Sequence, residues 1–215
     1  MAGRQWRGQG RVSPAQILER SYQTLKQRLI QGSFRPGQRL EAARLADDMH
    51  VSITPVRDVL NRLTGEGLVE AIAGGGFYVP SLDESVLRDL LDWNAALALL
   101  AMRKPRSSIC SVATLEHDAS DVPERTARFF LRLALRQGNS AFTRAVESAN
   151  DRLHAMRQLD ERVIGNTRDE LAELELAAEA ATASALAKHV RQFHARRKNR
   201  LATYIRLLRT PPSVP

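Results

Sequence analysis

Long apolar runs, cysteines and aromatic rings are what this 215-residue chain has least of. The longest uninterrupted apolar run, Ala95 to Met102, falls far short of the ~20 residues a membrane-spanning helix needs. No membrane partner is therefore expected, and the run reads as the buried face of a helix. The single cysteine, Cys110, excludes an internal disulfide and suits a reducing cytoplasm. The basic N-terminus MAGRQWRGQGR is followed by no apolar segment, so no secretory signal is expected. Aromatics make up only 5% of the residues, but apolar residues reach 43%, enough for a real core. The prevalence of Ala, Leu and Arg favours helices.

What is present in excess is positive charge. The formal net charge is +8, shared as +4 over residues 1–80 and +4 over the remainder. For the first part a nucleic-acid footprint is the better reading, because a motif there gives the charge a use. In the second part an Arg-rich composition accounts for it equally well.

Residues 1–12 lack periodicity and read as a flexible basic arm. Residues 13–80 form the first folded unit. Ser13-Pro14 opens a helix as N-cap and first-turn proline, and Ile17, Leu18, Tyr22, Leu25, Leu29 and Ile30 recur at helical spacing. Gly32 ends it, Phe34 to Gly37 makes a turn, and Leu40 leads into a second helix over 42–49 with Leu45 and Met49 inward. His50-Val51 is a tight turn, Ser52 caps a third helix, and Val56, Val59, Leu60 and Leu63 form its buried stripe. That places Thr54, Arg57, Asn61 and Arg62 on or near the exposed side. Gly65 and Gly67 stop the helix. Strands over 68–72 and 77–79, joined by Ala73-Gly74-Gly75-Gly76, complete the unit as a β-hairpin. Beyond Pro80-Ser81 only helices are expected: 83–103, 122–137, 140–162, and one or two between Thr167 and Leu208. The second unit is 81–209, and 210–215 is a disordered tail. The fold class is mainly α, a three-helix winged helix-turn-helix with a hairpin joined to an all-α bundle.

A helix that reads DNA needs a rigid apolar back and a short polar front near its N-terminus. Ser52 to Leu63 has both. Thr54 sits where hydroxyl and backbone N–H groups meet a phosphate or base edge. Arg57 lies one turn further on and reaches a guanine or a phosphate. Asn61 and Arg62 suit backbone contacts, Arg44 faces the same region from the preceding helix, and the glycine tip lets backbone approach a minor groove.

Several motifs here resemble a known family. Tyr22-x-x-Leu25, Ile30-x-Gly32, Pro36-Gly37-x-x-Leu40, Leu45-Ala46, Val51-Ser52-x-Thr54-Pro55-Val56-Arg57, Leu63, Glu66-Gly67-Leu68-Val69 and Gly74-x-Gly76-Phe77-x-Val79 are similar to the GntR-type winged helix. They match in order and spacing from Tyr22 to Val79. The resemblance implies double-stranded DNA as partner and Arg44, Ser52, Thr54, Pro55, Arg57, Asn61, Arg62, Gly75 and Gly76 as its contacts. Three positions depart from the family pattern: Ile53 stands where an arginine is common, Ala43 where another contact residue is frequent, and Gly75 where the wing is usually basic. Fewer direct contacts and a shallower salt dependence are expected, with Arg4, Arg7 and Arg11 of the arm as compensation.

The helical second unit resembles the effector and dimerisation domain of the FadR-like branch. Phe129-Phe130-x-x-Leu133 followed by Gly138-Asn139-x-x-Phe142 is the best local match. In that register the family's metal-ligating aspartate and first histidine fall on Thr126 and Phe130. A competing register places Asn150 and His154, one helical turn apart, at ligand positions. In neither is the ligand set complete, so neither a metal nor another cofactor is expected. On the first helix Asn94 and Ala98 replace the family's usual charged anchors. Trp93, Asn94, Arg128, Arg132, Asn150 and His154 are the candidates for a small-molecule effector, by helix facing. Their alternative role is to pack the bundle. From Leu186 to Arg209 there are eight Lys and Arg and no acid. This reads as a final bundle helix with a solvated face, the other reading being a basic helix for membrane or nucleic acid.

The resemblance implies a cytoplasmic, nucleoid-associated bacterial transcription regulator, a homodimeric repressor of a palindromic operator modulated by an effector. A low-specificity architectural DNA binder is the alternative. Enzyme activity is not expected, for there is no nucleophile–base pair or metal set. The Gly74-Gly75-Gly76 run also lacks the lysine and following helix of a phosphate loop.

Overall fold

Ser13 starts the first helix through a reciprocal cap. Its hydroxyl accepts from the Gln16 N–H at 3.3 Å while the Gln16 side chain accepts from the Ser13 N–H at 3.0 Å. The computed structural model describes residues 13–103, 121–180 and 183–209; the basic arm, Cys110, the poorly readable 105–120 segment and the tail lie outside them. Helix α1 (Pro14–Ile30) ends where Gly32 takes a left-handed conformation. Helix α3 (Ile53–Gly65) packs on it and helix α2 (Ala42–Met49) packs on α3, with His50 in left-handed geometry at their turn. Leu25, Val56, Val59, Leu60 and Leu63 are all but fully buried and anchor this core.

Two strands were expected and three form. β1 (Arg39–Leu40), β2 (Glu70–Ile72) and β3 (Gly76–Tyr78) make one antiparallel sheet in the order β1-β3-β2. Leu40 pairs with Phe77 before the chain enters α2, and Gly37 N–H to Val79 C=O and Val79 N–H to Gln38 C=O extend the pairing. A two-residue strand has no periodicity to read, and only its long-range hydrogen bonds reveal it.

The second unit is all helical among the described residues: α4 (Glu84–Ala101), α5 (Val122–Leu135), α6 (Ser140–Arg157), α7 (Asp160–Val163), α8 (Thr167–Ala180), α9 (Ala183–Lys198) and α10 (Leu201–Arg209). No helix there is long and apolar enough to cross a membrane. The expected 140–162 helix is broken after Arg157. The break turns Asp160 inward, where its carboxylate accepts from Arg197 Nε and Nη2 at 2.9 and 2.7 Å and from the Tyr204 hydroxyl at 2.5 Å. The expected last segment is likewise three helices, with α9 and α10 separated at Asn199-Arg200. Arg196, Arg197 and Lys198 among its basic residues are paired with carboxylates of the domain. Arg197 also pairs with Glu170, Arg196 with Glu170, and Lys198 with Asp92. Lys188, Arg191, Arg196, Arg200, Arg206 and Arg209 remain exposed, the solvated face expected of a final bundle helix.

At the centre of the bundle lies a second polar group. Arg157 is buried, its guanidinium donating to Asn150 Oδ1 at 3.0 Å and facing Asn94 Oδ1 at 3.4 Å. His194 sets Nδ1 at 2.7 Å from the Val190 carbonyl and Nε2 at 3.0 Å from Asn94 Oδ1. Burial, assisted by the charges of Arg157 and Arg197, pushes the His194 imidazole down to about 3. The unfolded chain takes up this proton near pH 6.5, the folded chain only near 3. Stability from this group is therefore complete above pH 6.5 and is lost as pH falls. Between pH 6.5 and 4 the native protein should lose about 1.4 kcal/mol per pH unit more than His194→Phe does. Urea denaturation of both proteins across that range measures the difference, and parallel pH profiles would contradict it.

Candidate nucleic-acid interface

The buried stripe of α3 turns its opposite side outward into a groove between α3 and the wing. Ile53, Arg57 and Asn61, each one turn from the next, line one wall, and Ala71, Ile72 and Gly74 line the other. Arg39 and Ala43 close one end, and the groove encloses about 910 Å³. Arg39, Arg44 and Arg57 are exposed and make no ion pair or hydrogen bond through their side chains among the described residues. Gly76 has a φ of 101°, and a Cβ there would meet the Arg39 guanidinium at 3.8 Å, so the wing backbone lies directly beside that cation. Arg39 was not singled out from the sequence, because nothing local marks a strand residue that a distant hairpin brings alongside.

The N-terminus of α3 is open. Ser52 occupies the N-cap position, as expected, but its side chain makes no capping hydrogen bond. The Thr54 hydroxyl likewise has no partner among the described residues, and Pro55, half-buried, contributes no N–H. Free hydroxyls and first-turn amides at the positive end of a helix dipole form a site for an anion such as a phosphate. Gly75 is half-buried at the wing tip, where its N–H donates to Ile72 C=O at 2.9 Å.

Arg62 is held elsewhere. Its guanidinium carbon lies 3.4 Å from the centre of the Tyr22 ring, and the group pairs with Glu19 at 3.1 Å and Glu66 at 3.5 Å. The same Glu66 carboxylate accepts from the Tyr22 hydroxyl at 2.8 Å and pairs with Lys26 at 3.0 Å. Lys26 in turn reaches Asp151 of α6 at 2.7 Å, and Ser148 of α6 donates to the Glu66 carbonyl at 3.1 Å. Burial alone would lower the Lys26 pKa, but its hydrogen bonds to Asp151 and Glu66 outweigh it and hold the ammonium above its ordinary value. The rear of the recognition helix is thereby fastened to α1 and to the second unit.

The six effector candidates divide. Asn94 and Asn150 are buried and meet around Arg157 and His194, neither of which had been assigned to the pocket. A hint lay in α6, where Arg157 follows the apolar positions Val146, Ala149, Leu153 and Met156 onto one face. Trp93 is 51% exposed on the far side of α4, so it does not join them. Arg132 pairs with Glu175, Arg128 is half-buried on α5, and His154 lies half-buried beside Gln158. At the positions of the first metal register the Thr126 hydroxyl donates to the Val122 carbonyl, and Phe130 packs edge-on against Phe129 and Phe193. Among the described residues no group of three or more His, Cys, Asp or Glu is placed to hold a metal.

Removing the Lys26 charge leaves Asp151 without its cation and Glu66 with Arg62 alone. Lys26→Met is expected to cost about 2–3 kcal/mol in urea denaturation, by loss of charge-assisted hydrogen bonds. A change below 0.5 kcal/mol would show that the fastening contributes nothing.

Residues 17–79 match the family model of bacterial regulatory proteins of the gntR family. The Nta operon transcriptional regulator of Aminobacter aminovorans is 31% identical over 140 residues, which cover 59% of this chain and 67% of that protein. The transcriptional repressor GlaR of Escherichia coli is 32% identical over 74 residues, 34% of each chain, so its match spans about a third of that relative. Two solved structures share the fold at 18% identity. A transcriptional regulator GntR from Rhodococcus sp. RHA1 has a TM-score of 0.65, over 86% of this chain and 97% of that one. E. coli McbR/YncC has a TM-score of 0.62, over 89% and 98%. The chain belongs to the gntR family and is a DNA-binding regulator of transcription rather than an enzyme.

Proposed function

We propose that this regulator works in the cytoplasm at the nucleoid as a homodimeric repressor of a two-fold symmetric operator, and that a small acidic effector modulates it. The observation that carries this reading is the double role of α6. One face of that helix holds Asn150 and Arg157 in the bundle centre, and another sets Ser148 on the Glu66 carbonyl at the end of α3 and Asp151 on Lys26 of α1, which packs on α3. A change of packing at the centre thus reaches the DNA-reading surface through a single rigid element. The name of one relative, the repressor GlaR, supports the sign.

Arg157 indicates the class of effector. It is buried, no carboxylate stands within ion-pair distance among the described residues, and burial lowers its pKa to about 10. Its Nε and the Asn94 Nδ2 are buried without hydrogen-bond partners. A buried, unpaired guanidinium is costly, and a small carboxylate placed against it offsets that cost. Replacing such a cation by an apolar group of similar length removes that desolvation cost, against which stands the loss of the hydrogen bond to Asn150. Arg157→Met should therefore keep or raise the melting temperature while abolishing the thermal shift that a panel of small carboxylates gives the native protein. A panel without effect on the native protein sinks the acidic-effector reading.

The dimer rests on the outer side of α4, where Trp93, Ala96 and Leu100 form an exposed apolar stripe with i, i+3, i+7 spacing. Two copies of this stripe crossing on a two-fold axis cover each other, and a symmetric operator then supplies the sequence information one winged helix lacks. Trp93→Glu should weaken self-association about 30-fold or more, the usual consequence of losing an interface tryptophan. Sedimentation equilibrium reads this directly, and a monomeric native protein at micromolar concentration would refute the dimer. The architectural alternative draws on the +8 charge. Undiminished operator binding in excess random DNA at physiological salt separates the two.

A further inference from the structure

Ile53 is the first residue of α3 and stands 45% exposed. It belongs neither to the core of the winged helix nor to the half-buried residues packed around it. The fold gains nothing from an exposed, β-branched residue in the first turn of a helix, where its stiff side chain is a weak helix former. Its side chain instead lines the groove between α3 and the wing, one turn ahead of Arg57 and on the same face. Ala43, Ala71 and Ile72 give the same groove apolar lining beside the polar Arg39, Glu41 and Asn61, and Arg57 is the nearest cation along the helix of Ile53.

We propose that Ile53 is a specificity-determining residue that reads the 5-methyl group of a thymine in the major groove, beside a guanine read by Arg57. This rests on the reading of α3 as the helix that enters the major groove. Among the four bases only thymine presents a methyl group there, and apolar side chains recognise it by contact, whereas arginine pairs with guanine O6 and N7. Ile53 has no donor or acceptor to offer a base edge, so only a methyl group matches its chemistry. The two side chains are separated by four residues, about 6 Å along the helix, against about 3.4 Å per base step. The thymine accordingly falls one or two base pairs from the guanine, once in each half-site. Ile53 thus changes which base is read at this point of the helix. It is not simply a lost contact.

The test uses the full chain and duplex sites selected in vitro from a random library. Each thymine of the selected half-site is replaced in turn by deoxyuridine, which removes the methyl group and leaves the pairing unchanged. At one position per half-site the native protein should bind about fourfold more weakly, the effect of exposing one buried methyl group. Ile53→Ala should bind the thymine site more weakly and no longer distinguish thymine from uracil. Arg57→Ala should relax the neighbouring guanine while keeping that distinction. Ile53→Arg should select guanine in place of the thymine. Specific binding with no thymine–uracil difference at any position overturns the proposal alone, as does an Ile53→Ala protein that still discriminates. Failure of the native protein to select any sequence overturns it together with the operator reading.

Discussion

The ammonium group of Lys26 is the point on which the two halves of the molecule meet. It lies between Glu66 at the end of the recognition helix and Asp151 on α6, with the Tyr22 hydroxyl 3.2 Å away. Two carboxylates from separate units would repel across this seam, and one cation turns the repulsion into a joint. The Lys26 stem is part of α1, which packs on both α3 and α6, so the joint is set in apolar packing rather than hung between loops. The groove between α3 and the wing, the proposed DNA-reading surface, is consequently presented at a fixed attitude to the helical domain. A regulator that responds to anything bound in that domain depends on such a constraint.

The bundle contains two buried arginines whose circumstances differ. Arg197 is met by Asp160 and Glu170, donates to the Phe193 carbonyl and stacks 3.3 Å from the Phe193 ring. It ties α7, α8 and α9 into one network, and all its charge is answered. Arg157 is answered only by amide oxygens and the Phe130 ring at 5.4 Å. The Asn94 amide has to serve both Arg157 and the His194 ring from one oxygen, which leaves its nitrogen idle. A centre built of neutral partners around a cation is less stable than a paired or an apolar one. It is the place where the proposed acidic effector would bind, and α6 joins it to Asp151 and Ser148.

Much of this was legible in the sequence where the causes are local. Ser13-Pro14, the glycine stops and the stripe of Val56, Val59, Leu60 and Leu63 located α1 to α3, because capping and 3.6-residue periodicity are properties of neighbours. The hairpin followed from its glycine tip. Long-range pairing was not legible. β1 is two residues long, the break in α6 exists because Asp160 must reach Arg197, and the single basic helix expected at the C-terminus bends at Asn199-Arg200. Site residues divided along the same line. Arg57, Asn61 and Thr54 follow from the facing of one helix, whereas Arg39 reaches the groove by strand pairing. Arg62 leaves the groove for the Tyr22 ring and two carboxylates that no local rule connects to it.

The charge of the chain then takes a different meaning. Half of the net +8 lies in the second unit, away from the groove, so the total is a poor guide to the charge at the groove itself. At the groove the unengaged cations are Arg39 and Arg57, with Arg44 exposed nearby, while Glu41 adds a negative group to the same lining. Among the described residues of the groove few side chains can neutralise phosphates, so on the proposed reading the groove itself draws little affinity from counterion release. Discrimination must come from shape and from groups without charge: the open hydroxyls of Ser52 and Thr54, the close wing backbone, and the exposed Ile53. An interface of this kind gains specificity relative to bulk attraction, because the groups that read bases are kept while those that hold any phosphate are few.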